Sequence, residues 1–186
     1  MVGYIVLGVV IVVVIIIVIW YIAAYNSFIT MKNKIEEAFA TIDVYLKKRF
    51  DLVPNLVETV KGYAAHERQT LDEVIAARNS VASSSTTEER LQNENILSGT
   101  LRSLFAVSEA YPNLKANENF MDLQKQLQQI ENDIANARKY YNANVRMFNT
   151  KLLTFPTNII ANQFKFTKQP MFEAAETDRQ NVQVKF

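Results

Sequence analysis

The sequence predicts an all-α protein in which a single N-terminal transmembrane helix is continuous with a long antiparallel three-helix bundle, with room for a short fourth helix. Three observations carry this. From Val2 to Tyr25 every residue is apolar, aromatic or Gly. After Thr30 the apolar residues recur in steps of three and four, the pattern of one buried helical face. No Gly or Pro separates the two patterns, so the anchor and the first bundle helix form one rod. The chain then divides into an anchor (1–30), a bundle (31–166) and a polar, flexible tail (167–186).

At about 1.5 Å per residue, Val2–Tyr25 reaches roughly 36 Å against a hydrocarbon core of about 30 Å, so it spans with some tilt. Val9 to Ile19 is an unbroken Val/Ile run that in water would suit a strand. In lipid the backbone must satisfy its own hydrogen bonds, and a helix does that. Tyr4 at one end and Trp20, Tyr21 and Tyr25 at the other stand where amphipathic rings meet the two headgroup layers. A cleaved signal peptide is the competing reading, with Ile22-Ala23-Ala24 as its cleavage site. The absence of Lys or Arg before the run, and the length of the run, oppose it. Basic residues set the orientation: none precedes the span, whereas Lys32, Lys34, Lys47, Lys48 and Arg49 follow it. The expected topology is therefore an inner-membrane, single-pass protein with the N-terminus outside and the bundle in the cytoplasm.

In the first bundle helix the stripe runs Ile35, Phe39, Ile42, Leu46, Phe50, Val53, Val57, Val60, Ala64, Leu71 and Ile75, disturbed only near His66. Pro54 lies inside it and predicts a kink, or a break with the helix resuming after it. Val81 to Thr87, with its Ser/Thr run, is the clearest loop, and Thr86 with Glu89 has capping-box spacing for a second helix. That helix buries Leu91, Leu97, Leu101, Leu104, Phe105 and Ser108 and ends at Tyr111-Pro112. Asn117 caps a third helix whose apolar positions, from Phe120 to Phe155, keep heptad-like spacing as far as Pro156. Residues 158–166 suit a short amphipathic helix. With three long helices alternating in direction, this aromatic segment falls at the end far from the membrane, out of lipid contact.

Lys plus Arg (20) nearly balance Asp plus Glu (19), so no field gathers nucleic acid. The chain of 186 residues has no Cys, which removes disulfides, thiolate nucleophiles and Cys-ligated metals. The single His66 cannot complete a two-His site, and the four glycines never cluster into a phosphate loop. Carboxylate pairs such as Asp43 with Asp51 or Glu131 with Asp133 read better as solvated faces or ion pairs than as acid–base machinery. The expectation is a protein without enzyme activity, cofactor, metal or small-molecule substrate.

Several segments resemble a known family. They are Thr41 to Ala64, with Asp51-Leu52-Val53-Pro54-Asn55-Leu56-Val57 at its centre; Ala65-His66-Glu67; Ala77-Arg78; Glu109-Ala110-Tyr111-Pro112-Asn113-Leu114; and Ala137-Arg138 with Tyr141-Asn142. Together they resemble the LemA family, from the anchor to Phe155-Pro156, departing at Tyr45, where the signature has Gln. The resemblance implies a bacterial membrane protein with a helical domain and no assigned chemistry. One relative belongs to the magnetosome membrane, which implies a part in membrane organisation.

Within the resembling segments stand Asp43, Arg49, Asp51, Asn55, Glu58, His66, Arg78, Glu109, Tyr111, Arg138, Asn142 and Arg146. They are expected to pair between helices and fix register rather than form a binding surface. The first helix also carries apolar residues beside its main stripe, among them Tyr45, Leu52, Leu56 and Tyr63, and the third adds Met121, Tyr140 and Met147. The four on the first helix form a candidate face for a homo-oligomer, the alternative being that they turn into the bundle's own core. The function expected is that of a membrane-anchored scaffold acting by self-association or through a membrane protein partner. An accessory subunit of a membrane enzyme such as a protease is the rival reading, and an unrecognised hydrolase a more distant one.

Overall fold

The computed structural model describes residues 1–64 and 66–172, helices and short turns followed by an irregular segment from Phe166 to Phe172. In chain order the helices are α1 (Val2–Lys61), α2 (Arg68–Ser83), α3 (Thr87–Ser108), α4 (Pro112–Lys115), α5 (Glu118–Leu153) and α6 (Thr157–Gln163). α1 runs 60 residues without interruption and contains Pro54, so the proline does not break it. Among the described residues α1 is the one helix long and apolar enough to cross a bilayer, and its apolar run from Val2 to Ile19 is exposed throughout.

Two compact units share α1 and α5 between them. The first comprises Met1–Phe39 and Tyr140–Met171. Phe28 meets Phe148 edge-on at 5.9 Å and Phe39 meets Tyr141 at the same separation, which sets α5 antiparallel to α1. Phe28, Ile35, Ala38, Tyr141, Val145 and Phe148 make the seam. At the foot of α5, Thr157 Oγ1 donates to the Lys151 and Thr154 carbonyls (2.8 and 2.9 Å) and turns the chain into α6. α6 ends in a Schellman motif: Lys165 takes φ 55°, its N–H donates to Asn162 O, and the Phe166 N–H reaches Ala161 O. A non-Gly residue in this conformation costs about 1 kcal/mol, offset here because the turn returns Phe166 to stack on Phe28 at 5.0 Å. The chain then lies along α5. Asn149 exchanges hydrogen bonds with both backbone groups of Gln169 (2.9 Å each), and the Tyr141 hydroxyl donates to Pro170 O at 3.0 Å. The tail expected to be flexible is thus packed at its beginning, and from Glu173 onward it lies outside the described residues.

The second unit comprises Ala40–Lys139 and Phe172 among the described residues. Its core gathers Val53, Leu56, Val57 and Val60 of α1, Leu71, Val74, Ala77 and Val81 of α2, Leu97, Leu101 and Leu104 of α3, and Phe120 and Leu127 of α5. Four long helices therefore pack here, where three were expected. The first helix does not continue to residue 81: it stops at Lys61, the chain turns through residues 62–67, and α2 returns antiparallel, with Arg78 over Phe50. The physical reason is legible at the turn. After Ala64 the apolar stripe needs a residue at 67 or 68, and Glu67 and Arg68 stand there.

This extra reversal inverts every later direction. α3 runs parallel to α1, as the contacts of Asp43 with Arg90 and of Arg49 with Ser98 show, and α5 runs back. The aromatic segment after Pro156 consequently sits beside Tyr21 and Tyr25 at the anchor, which corrects the placement far from the membrane. The two expected caps are present. Thr86 accepts from the Glu89 N–H at 3.1 Å and Asn117 from the Phe120 N–H at 2.9 Å. Glu89 reaches back to the N–H and hydroxyl of Ser85 (2.8 and 2.9 Å), bonds that hold its carboxyl below the usual range.

Candidate functional site

The charged centre of the second unit is built around Arg49. Its position on α1 falls inside the buried face, and its guanidinium is wholly excluded from water. It pairs with Glu94 of α3 and with Glu131 of α5, and donates to the Ser98 hydroxyl, joining three helices through one side chain. Ser98 in turn donates to Glu131 at 3.2 Å. Glu94 is 1% exposed, and burial raises its pKa more than the Arg49, Arg90 and Arg138 charges lower it. Arg138 donates to Asn95 at 2.8 Å and lies 5.0 Å from the Phe172 ring centre. Burial, then the charge of Arg49, lowers its pKa, and its Nε and Nη2 have no hydrogen-bond partner among the described residues. Every helix of this cluster is tied by a charge that would be costly to bury alone, so the arrangement fixes register.

Other predicted polar residues also bridge elements. Asp43 pairs with Arg90. Arg78 packs 3.8 Å from the Phe50 ring centre and donates from Nε to the Phe50 carbonyl at 3.2 Å. Tyr111 donates to Glu67 at 2.8 Å, a bond that raises the phenol pKa and ties the turn after α1 to the one after α3. Others stay local. Asp51 pairs with Lys47 and Glu58 with Lys61 on α1 itself, and Glu109 pairs with Lys115 across a turn. Asn55, His66 and Arg146 are exposed, and Asn142 is half-buried. The partners Glu94, Ser98, Asn95, Arg90 and Glu67 were not anticipated. Glu94 carried a signal: it occupies a buried-face position in the series Leu91, Glu94, Leu97, Leu101.

The expected oligomer face on α1 is corrected at Leu52 and Leu56, while Tyr63 stays 45% exposed. Leu56 is wholly buried in the core and Leu52 packs against it, because α2 folds back over this side of α1. Tyr45 is half-buried with Lys48 over its ring, and Tyr63 accepts from Asn117 Nδ2 at 3.0 Å. Apolar surface remains on α5 instead, at Met121, Tyr140 and Met147.

In the first unit the anchor residues separate into two groups. Tyr4 is 84% exposed on the bare span. At the other end, Tyr21 and Tyr25 lie 6.3 and 4.5 Å from the Phe164 ring centre, and Trp20 is 36% exposed. Lys151 bonds Ser27 and lies 5.1 Å from the Phe28 ring centre, and its burial lowers its pKa. An open groove of about 410 Å³ beside it is lined by Arg146, Met147, Thr150, Lys151, Thr154 and Thr157, a mainly apolar surface to which the side chains add hydroxyls and two cations. Among the described residues no three His, Asp or Glu side chains converge as metal ligands.

Comparison with known proteins agrees with the motifs. The profile described as LemA family matches residues 38–186, starting beyond the anchor and running past Pro156 to the last residue. A protein described as Protein LemA from Metamycoplasma hominis is 26% identical over 87% of this chain and 74% of its own length. Magnetosome protein MamQ 2 of Paramagnetospirillum magneticum is 23% identical over 80% of this chain. Magnetosome protein MamQ of Magnetospirillum gryphiswaldense is 22% identical over 74%. The matches span 64% and 60% of the lengths of these two magnetosome proteins.

Proposed function

Since the chain belongs to the LemA family, we propose that it is a membrane-anchored helical scaffold, acting through self-association or protein partners in organising the membrane that holds it. The observation that carries this is the single uninterrupted helix from Val2 to Lys61, which makes the apolar span and the first bundle helix one element. Whatever binds the bundle is held at the bilayer, and confinement there raises its effective concentration without any new contact. Two magnetosome relatives, whose names tie them to a membrane-bounded organelle, favour the same reading.

The contact face follows the corrected geometry. Tyr140 and Met147 stand seven residues apart on α5, 56% and 55% exposed, so they share one face of the helix. The test is the mass of the full-length protein extracted in mild detergent, with co-purifying proteins identified. A homo-oligomer that Tyr140→Glu with Met147→Glu reduces to monomer, with helicity retained, supports the scaffold. A stoichiometric foreign subunit would replace self-association by an accessory role, and a lone monomer at native density would end the reading.

A further inference from the structure

We infer that the corner from Leu153 to Phe166 is a second membrane contact, seated in the headgroup layer of the leaflet through which α1 leaves the bilayer; the inference rests on α1 spanning that bilayer. The corner's height is set by the anchor itself. From Tyr4 to Tyr21 is about 26 Å of helix and to Tyr25 about 32 Å, so the hydrocarbon core ends at the level of residues 21–25. Phe164 packs on both of those tyrosines, and Phe166 on Tyr25 at 6.2 Å. Ala24 is buried although the span before it is bare, which marks the level at which the corner covers α1. The antiparallel register agrees. Lys151 bonds Ser27, so the end of α5 at Leu153 lies about level with Tyr25, with the chain heading toward the bilayer as it enters the corner.

The large side chains this corner exposes are mostly apolar, with Thr154, Asn162, Gln163 and Lys165 exposed among them. Leu153 is 68% exposed, Phe155 76%, Ile159 55% and Phe164 42%. Burying four such side chains in water-exposed positions elsewhere on the fold would need a partner, but at this height the surrounding medium is already the lipid interface. An apolar segment there embeds about 5–10 Å into the headgroup and acyl boundary, and Lys165 and Lys168 at its exit suit anionic headgroups. The arrangement makes the attachment two-point: α1 crosses the membrane and the foot of α5 rests in it, which restrains rotation of this unit about the α1 axis.

The test uses the full chain in vesicles carrying lipids brominated at defined depths. Trp20 is the only Trp in the sequence, so its quenching in the wild type reports the span itself. In a Trp20→Phe background, Phe155→Trp, or Ile159→Trp should the first fail to fold, places one indole at the corner. The expected result is blue-shifted emission, quenched most by the shallowest bromines. Red-shifted, unquenched emission from the corner, with Trp20 quenched normally, overturns the inference while leaving the span intact. Blue-shifted emission that ignores bromine and falls as protein is diluted in lipid also overturns it, in favour of contact with a second copy. An unquenched Trp20 would remove the spanning premise instead.

Discussion

Arg49 is where residue chemistry decides most. A guanidinium with no exposure is tolerable only because Glu94, Glu131 and Ser98 meet it, and removing one partner of such a pair costs about 3–5 kcal/mol by leaving the other charge unpaired. Glu94 adds a pH dependence of defined sign. Its folded pKa is raised above the ordinary 4.5, so the folded state holds the proton more tightly than the unfolded chain. Its contribution to stability is complete below that ordinary value, falls as pH rises through the raised one, and is flat above. Glu94→Gln, which cannot titrate, removes this slope, so the stability of the wild type minus that of the variant should fall as pH rises. Denaturant midpoints in detergent across that range check this, and a gap that widens with pH contradicts it. Arg49 was legible from the motif that contains it. The partner Glu94 was legible only from its phase among leucines, a signal that a polar side chain tends to hide.

At the scale of elements, the caps were readable because they depend on two residues three apart, and Thr86 and Asn117 act where their spacing put them. The turn at 62–67 was harder. It holds no Pro, and one misplaced turn reversed the direction of all that follows. Pro54 looked the stronger breaker, yet α1 passes through it, and Arg78 supplies a reason. A proline at 54 has no N–H for the Phe50 carbonyl four residues earlier, and Arg78 Nε of α2 donates to that carbonyl. The helix keeps its proline because its neighbour satisfies the orphaned acceptor. Arg78→Ala should therefore cost about 1.5–3 kcal/mol with Pro54 present. It should cost about 1 kcal/mol less in Pro54→Ala, where the restored amide takes over. Equal costs in the two backgrounds, measured by thermal unfolding, would show that Arg78 acts through its ring contact with Phe50 alone.

For the whole molecule, the return of α5 to the anchor changes the charge at the membrane surface and with it the argument for orientation. Arg49, one of the basic residues first set against the lipid, is buried and contributes nothing there. Lys32, Lys34, Lys47 and Lys48 remain exposed, and the foot of α5 adds Lys165 and Lys168 from a part of the sequence far from the span. All follow the span in the chain. Retained positive charge favours the cytoplasmic side, so the bundle is expected inside. Because the chain has no Cys, a single introduced thiol reports its side without interference. Ile75→Cys, at an exposed position on α2, should resist a membrane-impermeant maleimide in intact cells and react once the membrane is permeabilised. Labelling in intact cells would place the bundle outside, and the scaffold would then have to recruit its partners from that side.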